Sequence, residues 1–223
     1  MRTISIDEKL RKACPDIYLS CIFCSVTVQE NQADLWQLID AKSRKIQEDL
    51  TIEEIRYNPD IAAAREAYKA CGKDPARYRL SAEALLRRVV SGKGLYQINN
   101  VVDLLNLVSI STGFSIGGYD EDKIVGDVVM GIGRPDEPYN GLGKGELNIE
   151  GMPVFRDQKG AFGTSTSDSE RTGVSENTQR FLMVIVSYQS SEKLEEATQM
   201  AMNYLSDFAG GKAFETVVVP QSR

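Results

Sequence analysis

At 223 residues, with 42% hydrophobic and 26% charged side chains, the chain has the length for one sizeable core and the composition of an ordinary soluble globular domain. It contains no histidine, which excludes Ser-His-Asp and Cys-His nucleophile systems, histidine-ligated metals and any imidazole base. The net charge of −6 is uneven: residues 65–93 hold eight bases and three acids, a local +5 that leaves −11 for the rest.

The opening residues MRTISIDEKLRK lack the apolar centre of a signal peptide, and no run of 18 apolar residues occurs. With only four cysteines, this predicts a cytoplasmic chain with reduced thiols and no membrane partner. Residues 17–28 (IYLSCIFCSVTV) are β-branched, aromatic and partly alternating, which predicts a buried strand. A strand puts Cys21 and Cys24 on opposite faces, so this lone CxxC reads as two small core residues. Residues 31–50 carry apolar side chains at helical spacing, and residues 51–57 read as a continuation or a short helix. After the break at Asn58-Pro59, the alanine-rich residues 61–71 predict a helix closed by Gly72. Ser81 is placed as the cap of a helix over residues 81–90, with Glu83 in its first turn. A further helix is expected from residue 99 or 100 to 111.

Beyond residue 120, short strand-like runs are expected at 125–131, 146–150, 153–157, 160–163 and 181–188. A helix at 192–209 and a strand at 214–219 close the chain. Helices first and strands later predict an α+β fold, a single layered domain over residues 1–223 with helices packed on mainly antiparallel sheet.

Several groups are candidates for chemistry. The bases of the local +5 window, Arg77, Arg87, Arg88 and Lys93 among them, fit a polyanion footprint as well as they fit solvated helix faces. The pair Gly117-Gly118 reads as a turn or as backbone close to a ligand, with Tyr119 and Asp120 on a pocket floor. The loop STSDSERT, residues 165–172, offers hydroxyls, Asp168 and Arg171. Asn106 lies within the apolar helix VVDLLNLV and needs a hydrogen-bond partner, from backbone or ligand. The Gly-x-Gly runs at 131–133 and 141–145 match no phosphate-loop spacing and read as hairpin loops. No metal site or cofactor is expected, and no catalytic residue is assigned.

The motifs GKDPARYR, SAEALLRRVVSGKGL, INNVVDLLNLVS and GGYDEDKIVGDVV, with the weaker LGKGE and DSERTGVSENTQ, resemble the editing domain of the bacterial phenylalanyl-tRNA synthetase β-subunit in a free-standing form, over residues 14–188. The resemblance implies a layered α+β fold and a pocket for the acceptor end of an aminoacylated tRNA. It also implies hydrolysis, in trans, of tyrosine or a related aromatic amino acid wrongly attached to the phenylalanine tRNA. The family's pocket Asn matches Asn106; its pocket His aligns with Gly117 and its pocket Glu with about Val184. Hydrolysis would then use other groups, assisted by a vicinal ribose hydroxyl. Arg79 or Arg171 would bind a phosphate or oxyanion, and Glu83 or Asp168 an ammonium group or a water, with Ser81 and Asp120 beside them. The alternative is a binding module for tRNA or an amino-acid-like ligand, without catalysis. DNA is not an expected partner.

Overall fold

The structure, a computed structural model, describes residues 2–30, 32–190 and 192–220. Its elements, in order, are β1 (Ile4–Ile6), α1 (Glu8–Ala13), β2 (Tyr18–Ser25), α2 (Ala33–Asp49), α3 (Pro59–Ala70), α4 (Ser81–Val90), α5 (Asn100–Thr112) and β3 (Ser115–Asp120). They continue with β4 (Val128–Ile132), β5 (Asn140–Gly141), β6 (Gly145–Glu146), β7 (Pro153–Asp157), β8 (Gly160–Thr164), β9 (Arg180–Ser187), α6 (Glu192–Ala209) and β10 (Lys212–Val219). The central sheet has the order β10-β2-β9-β3 and is antiparallel throughout. A second sheet, β1-β4-β7-β8, is antiparallel except where β1 runs parallel to β4.

The central sheet is covered on both faces. Leu182, Val184 and Val186 of β9 join a core with Met130, Val154, Phe155 and Phe162 of the second sheet and with Leu10 and Tyr68 of α1 and α3. Phe181, Met183 and Ile185 join the other core, built with α2, α4, α5 and α6. Burial on both faces is why β9 reads FLMVIVS as an unbroken apolar run rather than an alternation. Cys21 and Cys24 fall into opposite cores as their strand spacing requires, and burial pushes both thiols up to about 12. The expected α+β fold is present, with a second sheet as an added layer. Among the described residues no helix is long and apolar enough to cross a membrane.

The differences from the sequence reading have local causes. β1 and α1 were not anticipated; Asp7 caps α1, its carboxylate accepting the Leu10 N–H at 2.7 Å. The expected start of α2 at Asn31 lies outside the described residues. Residues 51–57 do not continue α2 but turn into a short 3-10 segment, Ile55–Tyr57. α3 starts at Pro59, two residues before the alanine-rich run, because the Asn58 side chain accepts from the Asp60 and Ile61 N–H groups. Ser81 is not the cap of α4. Leu80 holds that position without a side-chain bond, and the Ser81 N–H donates to the Ser165 carbonyl at 2.8 Å. At residues 146–150 only Gly145–Glu146 forms strand, as half of the β5-β6 hairpin.

Candidate functional site

The bases of the local +5 window are organised by one buried carboxylate. Glu83 lies near the start of α4 with its side chain 2% exposed, between three guanidinium groups. Arg65 Nη1 stands 2.7 Å from Glu83 Oε2, Arg87 Nε 3.1 Å from Oε1, and Arg79 Nε 3.8 Å from Oε1. A carboxylate taken this far out of water requires cationic partners, and three of them leave the cluster at +2. This corrects the reading of Glu83 as a free ligand for an ammonium group, since its oxygens are already engaged. Arg79, half exposed and at the longest distance, keeps the most capacity for an incoming anion. Arg65 comes from α3, and its part in the cluster could not be seen from sequence spacing.

The second group gathers around the outer edge of β3. Gly117 and Gly118 are strand residues, not a turn, and Gly117 pairs with Val184 on β9. Tyr119 explains the glycine. A Cβ at residue 117 would fall 2.6 Å from Tyr119 Cζ and nearer still to its hydroxyl, and a Cβ at Gly163 on β8 would fall 2.7 Å from the same carbon. The phenol thus passes between two glycines of facing sheets and fills the space a larger residue at 117 would need. Edge-to-face contacts with Phe162 (5.0 Å) and Phe155 (6.2 Å) hold the ring.

The Tyr119 hydroxyl donates to Asp168 Oδ1 at 2.8 Å. Burial pushes Asp168 up to about 7, against the opposing pull of Tyr119, Gly118 and the Lys144 ammonium. Burial also pulls Lys144 down. Lys144 Nζ donates to the Thr166 carbonyl at 3.2 Å, and the Tyr68 hydroxyl lies 3.0 Å from Thr166 Oγ1. Residues 166–168 are half-buried, while Ser165 is buried with no partner for its hydroxyl among the described residues. The 165–172 loop therefore ties together the first turn of α4, the edge of β3 and the β5-β6 hairpin, where the Leu142 N–H donates to the Asp168 carbonyl at 2.7 Å.

The remaining candidates lie elsewhere. Asp120, 5% exposed, does not line a pocket floor. It accepts from the Thr178 hydroxyl at 2.8 Å and the Asp122 N–H at 3.2 Å and pairs with Lys123 at 3.3 Å, closing the turn after β3. Arg171 is likewise committed, gripping Asp157 with two 2.9 Å bonds and so fastening the 165–172 loop to β7. Asn106 is half-buried on α5, and its amide makes no hydrogen bond among the described residues. Arg77 is exposed beside Tyr78, and Lys93 is exposed after α4. Arg88 turns toward the next loop, where it stacks on Tyr96. Arg65 was counted among the bases of the window but not singled out, and Tyr96, Lys144 and Gly163 were missed in the sequence reading; only the lysine within the glycine-rich LGKGE carried a signal of its own.

Residues 63–210 match the family described as B3/4 domain. The chain belongs to the B3/4 domain family. This B3/4 domain is 29% identical over 92 residues to the phenylalanine–tRNA ligase beta subunit of Psychrobacter arcticus, a stretch covering 40% of this chain and 12% of that protein. Its fold is similar to the crystal structure of an N-terminal fragment of the phenylalanyl-tRNA synthetase beta-subunit from Pyrococcus horikoshii. There the TM-score is 0.52 at 18% identity, over 98% of this chain and 54% of that one. The B3/4 domain thus spans about an eighth of the first relative and about half of the second, and the second likeness concerns the fold alone.

Proposed function

We propose that this B3/4 domain binds the aminoacylated acceptor end of a tRNA and, acting in trans, removes a wrongly attached amino acid, tyrosine or a related aromatic one. The observation that carries this reading is the 165–172 loop. It holds a carboxyl group poised near neutrality and is joined to the turn of α4 that carries the +2 guanidinium cluster. A carboxyl group at about 7 holds both protonation states at neutral pH, as a group taking a proton from an attacking water requires. Lys144 beside it supplies positive charge for a developing oxyanion, and Arg79 takes a terminal phosphate.

A second reading, binding without hydrolysis, is favoured by Tyr119. Its phenol fills the space beside Gly117, the position that the resemblance aligns with the family's pocket His. One experiment separates the two. The purified protein is mixed with a panel of correctly and wrongly charged tRNAs, and amino-acid release is followed alongside filter binding. The first reading expects faster release from at least one mischarged tRNA, abolished by Asp168→Asn with binding retained. Binding without release across the panel leaves only the second reading, and absence of binding overturns both.

A further inference from the structure

Residues 91–99, between α4 and α5, form no helix or strand, yet they are held from both sides. From α4, Arg88 donates Nε to the Gly94 carbonyl at 3.0 Å and Nη1 to the Tyr96 hydroxyl at 2.9 Å. Its guanidinium carbon lies 3.8 Å from the centre of the Tyr96 ring. From α5, Asp103 accepts the Ile98 N–H at 2.9 Å through one oxygen and the Trp36 indole N–H at 2.9 Å through the other. The segment between these anchors presents two large apolar side chains to solvent, Tyr96 at 62% and Ile98 at 52% exposure. A single exposed apolar side chain is ordinary, but an exposed ring held on one face by a doubly anchored guanidinium is a preset surface.

Along the chain the charge on either side of it has one sign. No acid occurs between Glu83 and Asp103, and both of those side chains are buried and paired, while Arg87, Arg88 and Lys93 lie between them. A flat π-face with a cationic rim on an otherwise acidic chain matches the two chemical parts of an unpaired nucleotide, its base and its phosphate.

We propose that Tyr96 is a stacking platform for a base of single-stranded RNA, with Lys93 contacting the adjoining phosphate. The identity of that RNA as a tRNA acceptor end rests on the reading above; the stacking chemistry rests on Tyr96 and its neighbours.

The test uses the full chain and a fluorescein-labelled single-stranded RNA hexamer, followed by anisotropy over a salt series, with a blunt, fully paired RNA duplex as control. Tyr96→Ala is expected to weaken hexamer binding roughly 5- to 150-fold while leaving the salt slope unchanged. Tyr96→Trp should keep the affinity, and Lys93→Gln should reduce the slope by about 0.7. At 62% exposure, truncation of Tyr96 should leave the fold intact, checked by circular dichroism. Equal hexamer binding by the parent and Tyr96→Ala overturns the platform, as does equal weakening on the paired duplex or no hexamer binding by the parent. If the parent binds charged tRNA and Tyr96→Ala binds it equally well, the platform falls and the tRNA reading stands. If the hexamer is bound through Tyr96 and no tRNA is bound, the reverse holds.

Discussion

Asp168 ties the proposed chemistry of this B3/4 domain to its stability. Its folded value of about 7 lies above the ordinary 3.8, because burial outweighs the hydrogen bond from Tyr119. A raised folded value means that the folded chain holds the proton more tightly than the unfolded one. The favourable contribution is therefore complete below about pH 4 and is lost as the pH rises to about 7. Asp168→Asn removes this dependence. Thermal unfolding of parent and variant across pH 4 to 8 should show the melting difference shifting in favour of the variant as pH rises, with most of the change between pH 4 and 7. A difference independent of pH would mean that the carboxyl group titrates normally. Tyr119 fixes this environment, and Gly117 and Gly163 are what admit Tyr119.

Among the elements, α4 carries the clearest division of labour. Its inner face seals a core with Ala82, Leu86 and Val89, and its first turns gather the guanidinium groups around Glu83. Glu83→Gln keeps the shape and removes the charge. It should cost about 1–3 kcal/mol in denaturant unfolding, because the arginines lose a charged acceptor. The same variant raises the cluster from +2 to +3, so RNA binding should become tighter and more salt-dependent. Weaker RNA binding by a folded Glu83→Gln protein would place the RNA elsewhere. The span of α4 was legible from its apolar stripe and its closing glycines, and β7 and α6 from patterns as regular. β3 was not, because its paired glycines resemble a turn until the phenol crossing beside them is known. Asp120 and Arg171 read as site residues because polar side chains in loops do; their partners Thr178 and Asp157 are distant in sequence and meet them only through the fold. Glu83 read as a ligand for an ammonium group because its partners come from elsewhere: Arg65, which engages it most closely, arrives from another helix.

For the whole molecule, the family match and the folded unit have different limits. Residues 63–210 contain β3 and β9 but neither β2 nor β10, so they hold two of the four central strands. A fragment cut at those limits would leave the β9 edge unpaired and strip Leu19, Cys21 and Ile22 from the two cores. Each buried aliphatic residue lost from such a core forgoes about 1.5–3 kcal/mol, so the loss exceeds the marginal stability of a small domain. The fragment should therefore show neither a cooperative melting transition nor dispersed amide resonances, while residues 2–220 show both. A cooperatively folding 63–210 fragment would show that β2 and β10 are accessory.

The pairing of residues 18–25 with residues 180–187 also has a consequence in time. At ordinary rates of synthesis, β2 emerges roughly 10–30 s before the strand it pairs with. Throughout that interval a segment apolar on both faces lacks both of its neighbours, and such long-range pairing is intrinsically slow even after the chain is complete. The vulnerable period for this protein is its own translation. Slowing the ribosome between these two strands should raise the aggregated fraction without altering the final fold.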